Sequence, residues 1–424
     1  MERVMVNPYL AGVCAVLMAG PACAEGVEES LRPVMRPVTI ETAAQNMPRS
    51  ADFQCWVRAF RQRAKAAGIS EQVLDAAFAG VSYDADVVRR DRNQNEFTKT
   101  IWDYLGTAVS DARIKNGRAA LKAQAKALQA IEDRYKVDKQ VIVAIWGLES
   151  AYGGFRGSNS VIQSLASLAY DPRRSAFFED QLMDALRILQ DGDTTARQMK
   201  GSWAGAMGHT QFMPTSFRDH AVDWTGDGKR DIWGEDPRDA LASAGAYLKF
   251  HGWTYKQPWG VEVQLPEDFT YTLANREITR MPSEWAKIGI LDINGQLVPD
   301  HGRASILLPA GHQGAAFMIF DNFEVLEAYN TADAYVVGVG HLADRILGGA
   351  TIQGGWPTWD RALTFDERIE LQTRLTQAGF DTVKIDARIG PLTIAAVRAW
   401  QIARGLVPDG YASPAALKML REEV

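Results

Sequence analysis

Residues 137–152 read Val-Asp-Lys-Gln-Val-Ile-Val-Ala-Ile-Trp-Gly-Leu-Glu-Ser-Ala-Tyr, with no charged side chain between Lys139 and Glu149. A segment apolar on nearly every side, helical in length but too short to cross a bilayer, belongs in the interior of a domain. The chain must therefore build a core around this helix. The carboxylate near its end is costly unless it is paired or put to use. Ile145 and Trp146 precede Glu149 by four and three positions, on the same helical face. Gly153-Gly154 predicts the helix end, which puts Glu149 in about the last turn, near the negative pole of the dipole. Apolar neighbours and that pole both disfavour the anion. Glu149 is thus either a general acid, which needs a carboxyl kept protonated near neutral pH, or a structural Glu paired with a buried Arg or capping a neighbouring helix.

A chain of 424 residues exceeds what one core usually organises, so two or three domains are expected. Helical periodicity runs from about Phe53 to Tyr135, for example over Ile69 to Phe78 and Ala119 to Ile131. It returns in Ser175–Leu189, Arg238–Phe250 and Glu324–Leu347. Val261 to Leu265 alternates like a strand, and Gly314 to Phe320 does so less cleanly, predicting a small β-rich insertion at about 258–322 in a mainly α protein. Glycines 348, 349, 354 and 355 mark a linker over 348–363, and a module of about sixty residues, 364–424, follows. A catalytic domain at 49–347 is the remaining part.

The first residues carry an address. Arg3 precedes an uncharged run, and Ala22-Cys23-Ala24 before Glu25 reads as a cleavage site, so 1–24 is expected to be a cleavable export signal. Gly20 and Pro21 break the run below the length of a span, so no stable membrane insertion is expected after cleavage. Residues 25–48, with Pro33, Pro37 and Pro48, read as a linker. Cleavage would leave Cys55 as the one thiol, in a pattern (Phe53, Trp56, Val57, Phe60) that predicts a buried structural cysteine. With a net charge of −6 and no basic stripe, nucleic acid is not an expected partner.

Three further segments could carry chemistry. Ser202-Trp203-Ala204-Gly205-Ala206-Met207-Gly208-His209-Thr210-Gln211-Phe212-Met213-Pro214 is rich in small residues that allow close approach either of a ligand or of another helix, and Gln211 suits an acetamido sugar. Ala328-Tyr329-Asn330, with Tyr335 five residues beyond, supplies either ligand contacts or a cap and a core ring. Asp223-Trp224-Thr225-Gly226-Asp227-Gly228-Lys229-Arg230-Asp231 has the oxygen side chains, the central Gly and the carbonyl position (Lys229) of a calcium loop. Its twelfth position is Gly234, not Glu, so Asp236 or Asp239 must supply the last carboxylate; an Asp/Gly turn without metal is the alternative.

Together these segments resemble the membrane-bound lytic murein transglycosylase B family. Trp146-Gly147-Leu148-Glu149-Ser150 is similar to its catalytic motif, 204–214 to its second motif and 328–330 to its third, while the loop 223–239 is similar to its calcium site. No lipid-attachment signal is seen, so a soluble relative of the family is expected, and Gly234 and Glu235 are extra in the loop. Residues 365–421 resemble a small helical peptidoglycan-binding domain, through Asp386, Gly390-Pro391-Leu392-Thr393, Trp400-Gln401 and Asp409-Gly410.

The resemblance implies a lysozyme-like helical core and non-hydrolytic cleavage of the β-1,4 bond between N-acetylmuramic acid and N-acetylglucosamine in peptidoglycan strands. It implies Glu149 as acid and then base, Ser150, Tyr152, Ser202, Gln211, Tyr329, Asn330 and Tyr335 as substrate contacts, and one structural Ca²⁺ held by Asp223, Thr225, Asp227, Lys229 and Asp239, with no cofactor required for the chemistry. The competing readings are a lysozyme-type hydrolase and a non-catalytic wall-binding scaffold.

Overall fold

The apolar segment becomes the helix Lys139–Ser150, in which Val141 to Gly147 are all buried. This is a computed structural model, and it describes residues 50–92 and 99–423. The expected signal, 1–24, and the linker 25–48 lie outside the described residues. All described residues fall in one contact-defined unit, Pro48–Val424.

Seventeen α-helices occur among the described residues, with one two-stranded and one four-stranded sheet. The mainly α class expected from the sequence is what the structure shows. Around the central helix pack Asp333–Ile346, Asp111–Ala123, Arg238–Phe250 and Ala125–Tyr135. Two expected helices are each divided. Ala119–Ile131 breaks at Gln124, which closes Asp111–Ala123 and opens Ala125–Tyr135. Glu324–Leu347 is interrupted between Asp321–Tyr329 and Asp333–Ile346, because Asn330 is extended and its Oδ1 accepts the Ala332 N–H at 3.1 Å. Asx-type bonding of this kind competes with helix continuation. Cys55 is exposed, contrary to expectation. Phe53, Val57, Phe60 and Ala64 are the buried stripe of Ser50–Ala66, and residue 55 lies two positions off it, on the solvent side.

The sheet order is Leu291–Asp292, Gly260–Gln264, Ala316–Ile319, Ser305–Leu307, all antiparallel, with Val261 and Ile306 both opposite Met318. One face (Val263, Ile306, Ala316, Met318) covers a separate small core with Trp285 at its centre. The other (Leu307, Phe317, Ile319) joins the main helical core. Burial on both faces explains why 314–320 alternates so poorly in sequence.

Phe365–Gln377, Pro391–Ala403 and Pro414–Glu422 form a third core around Leu371, Val397, Trp400 and Leu417. This helical module sits against the sheet-bearing insertion. The Asp409 carboxylate accepts the His312 backbone N–H at 3.0 Å and lies 2.6 Å from its ring Nδ1, while Arg398 donates to the Ala274 carbonyl at 2.7 Å. Residues 353 and 354 donate their N–H groups to Glu262 on the central strand. No helix of the described residues is long and apolar enough to cross a membrane.

Candidate active site

The helix that carries Glu149 ends at Ser150, two residues before the expected stop. Ala151, Tyr152 and Gly153 follow with φ of 50°, 60° and 86°. Three successive left-handed residues turn the chain back so that the Tyr152 ring lies on the helix it has just left, where a Cβ at Gly147 would meet the ring hydroxyl at 2.6 Å. Tyr152 donates to the Arg113 carbonyl at 2.8 Å and stands edge-on to Trp146. Burial pushes its phenol up to about 12, against a smaller opposing effect of Arg113. Glu149 itself is half-buried beside Leu148.

Tyr335, on the helix Asp333–Ile346 that packs against the Glu149 helix, donates to Glu149 Oε1 at 2.5 Å and is only 6% exposed. Tyr329 donates to the Thr210 carbonyl at 2.7 Å, which ties the third motif to the second. Burial, and next the charge of Glu149, hold both phenols well above the usual tyrosine range, so both remain protonated donors. The break at Asn330 puts Tyr329 and Tyr335 on two different helices, one bonded to the second motif and the other to Glu149.

The second motif is not a helix but a tight loop, with Met207 and Phe212 paired in both directions at 2.8 and 3.0 Å. Two of its glycines approach other parts of the protein closely: a Cβ at Gly208 would meet the Ile232 carbonyl at 2.3 Å and one at Gly205 the Leu165 side chain at 2.5 Å. Gln211, at φ 50°, is half-buried and its Nε2 donates to the Gly208 carbonyl at 2.7 Å and to the Arg156 carbonyl at 3.3 Å. Ser202 Oγ accepts the Ala206 N–H at 3.1 Å within the same loop. Asn330 is exposed at the helix break. Ser150, expected as a substrate contact, is buried; it donates to the His209 carbonyl at 2.6 Å and accepts the Gly153 N–H at 2.9 Å, so it clasps the first motif to the second.

His209 is the residue that sequence reasoning passed over. Trp146 Nε1 donates to its Nδ1 at 3.1 Å, so Nε2 carries the proton and donates to the Gly234 carbonyl at 2.8 Å. Burial lowers its pKa, only partly offset by the Gly234 bond, and the ring stays neutral. An imidazole between a Gly and a Thr in an otherwise apolar loop was the available signal.

The loop 223–239 gathers Asp223, Asp227 and Asp239, with ligand oxygens all within 4.8 Å of one another. Asp239 is the third carboxylate of this group. Asp236 is not part of it and is paired with Arg238 at 2.5 Å. Asp239 is 2% exposed and accepts N–H groups from Trp224, Thr225 and Asp231; burial raises its pKa despite those bonds, and Asp223 adds to the rise. Thr225 Oγ1 lies 3.4 Å from Asp223 Oδ1, and Lys229 donates its N–H to Asp227 at 2.9 Å, in the turn where its carbonyl would serve a cation. Three carboxylates in this arrangement, one buried, are the donor set of a hard divalent cation.

Comparison with known proteins agrees with this geometry. Residues 52–344 match the transglycosylase SLT domain, and 366–420 match a putative peptidoglycan-binding domain. The chain is 30% identical over 252 residues to the membrane-bound lytic murein transglycosylase B of Escherichia coli (strain K12), a match covering 57% of this chain and 66% of that relative. It resembles the crystal structure of SltB3 from Pseudomonas aeruginosa in complex with NAG-anhNAM-pentapeptide at a TM-score of 0.84 and 49% identity, over 87% of this chain and 99% of that one. The Escherichia coli lytic transglycosylase Slt35 in complex with calcium aligns at a TM-score of 0.60 and 28% identity, over 71% and 93%. The chain belongs to the lytic murein transglycosylase B family of SLT-domain enzymes, with a peptidoglycan-binding domain following the catalytic one.

Proposed function

We propose that the protein cleaves the β-1,4 bond between N-acetylmuramic acid and N-acetylglucosamine in peptidoglycan without water, leaving 1,6-anhydromuramoyl ends. The observation that carries this reading is the Tyr335–Glu149 bond, which fixes one carboxyl at the meeting point of the three motifs. Glu149 in its acid form donates a proton to the leaving oxygen. The muramoyl acetamide assists at the anomeric carbon, in place of the second carboxylate of ordinary glycosidases. Glu149, now anionic, takes the proton of the sugar's own 6-hydroxyl, whose oxygen closes the anhydro ring. Tyr335 holds the carboxyl in one rotamer through both steps. Asn330, exposed at the helix break, together with Gln211 and Ser202, orients the acetamido sugar, and Tyr152 and Tyr329 wall the site.

The loop at 223–239 would hold one Ca²⁺ through Asp223, Asp227 and Asp239, with Thr225 and Lys229 beside them. The ion has no part in the chemistry; it neutralises carboxylates that otherwise repel. Domain limits at 49–347 and 364–424, and export to the periplasm by a signal at 1–24, complete the reading. Mass analysis of digested murein decides it: anhydro ends lack one water relative to the reducing ends of a hydrolase, and a digest of reducing ends alone refutes it. A wall-binding scaffold would give no cleavage at all.

A further inference from the structure

Beyond Tyr329 the aromatic packing does not stop at the site. Tyr247 is buried, donates to the Ala328 carbonyl at 2.6 Å and lies edge-on to Tyr329 with centroids 5.0 Å apart. The same ring also meets two imidazoles, His251 at 4.3 Å and His220 at 5.0 Å. These belong to the last residue of Pro214–His220 and the residue capping Arg238–Phe250. Phe250 completes the group, 4.7 Å from His220 and 5.3 Å from His251, yet is 73% exposed. A phenyl ring held by two neighbours and left open to water is not explained by core packing.

We propose that Phe250, His220 and His251 form a carbohydrate platform, an additional subsite for an N-acetylhexosamine unit of the glycan strand lying away from the scissile bond. This rests on the function proposed above. A pyranose presents C–H groups on one face, which suit an exposed aromatic ring, and hydroxyl and acetamido groups at its rim, which suit donors and acceptors held beside that ring. Burial lowers the pKa of both imidazoles, so each offers one donor and one acceptor at neutral pH. Continuity argues for the same strand: Tyr247, which touches both imidazoles, donates to the carbonyl of Ala328, an exposed residue of the third motif two positions before the exposed Asn330.

The test compares the full-length wild type with Phe250→Ala and His220→Ala on long glycan strands and on a short muropeptide, with melting temperature recorded. Loss of one stacking ring should raise KM for the long strands by about three- to tenfold while leaving kcat and the short substrate unchanged. In the Glu149→Gln protein, a soluble chitooligosaccharide should shift the ring-proton NMR signals of His220 and His251, and Phe250→Ala should abolish the shift. A KM for the long strands unchanged from wild type in Phe250→Ala, or absence of the NMR shift, overturns the platform. Zn²⁺ bound by wild type and lost in His220→Ala, with strand kinetics unaltered by Phe250→Ala, would make the pair a metal site and also overturn it. If the wild type releases no anhydro product, the underlying function fails instead, which is a separate outcome.

Discussion

Tyr335→Phe isolates the contact on which the chemistry depends. The ring is buried and packs in the main core, so Phe preserves the shape and removes one oxygen. What is lost is a hydrogen bond of 2.5 Å to Glu149 Oε1. A bond to a group that carries charge during the reaction contributes about 1.5–3 kcal/mol. At about 1.4 kcal/mol per decade, kcat should fall about 10- to 150-fold if that bond is present throughout the proton transfers. KM should change little, because the hydroxyl is turned to the carboxyl and not to the sugar. The assay is initial release of anhydromuropeptides from purified murein, quantified by mass spectrometry over a range of substrate concentrations. Because the phenol is held far above its ordinary range, the wild type should show no activity change from its ionisation up to about pH 10. A variant within a factor of two of wild type in kcat, or one whose loss lies wholly in KM, would refute the positioning role.

Glu149→Gln keeps size and removes the proton shuttle; turnover should drop by at least about a thousandfold with muropeptide affinity retained, measured by calorimetry alongside the product assay. Excess chelator should lower the melting temperature, and the shift should vanish in Asp239→Asn; a loop saturated at a hundred times Kd contributes about 2.7 kcal/mol, so an unchanged melting curve would exclude a bound ion. In the C-terminal module, burial opposes the Asp409 anion, but the His312, Tyr411 and Gln401 donors outweigh it and hold the carboxyl below its usual range. Its contribution is therefore complete above about pH 4 and is lost as pH falls through the depressed value. Asp409→Asn should cost about 1.5–3 kcal/mol in denaturant titrations at pH 7, with the gap to wild type narrowing in acid.

Much of the site was legible because its rules are local. The apolar run at 141–148 required a buried helix, the Asp/Gly spacing marked the loop, and the three motifs named the partners of Glu149. What was hidden depended on tertiary packing. Nothing in the sequence says that Ser150 turns inward to the His209 carbonyl or that His209 bridges Trp146 and Gly234, since these contacts join residues 59 and 63 positions apart, or 25 for the other side of the ring. Cys55 was misplaced because its neighbours Trp56 and Val57 made the stretch look apolar, while the helical phase set it outside. The choice between Asp236 and Asp239 needed the Arg238 ion pair to be seen.

The sheet that separates Trp285 from the helical interior belongs to two interiors at once. Phe317 lies 5.7 Å from Trp259 on one side, and its neighbours Ala316 and Met318 seal the small core on the other. Such a partition tolerates divergence unequally. The connections between its strands, such as 293–304, can lengthen or change composition at little cost. The strands themselves are a party wall: trimming them like a surface appendage would strip the covering from both compartments, so this insertion should persist as a unit or be replaced as one.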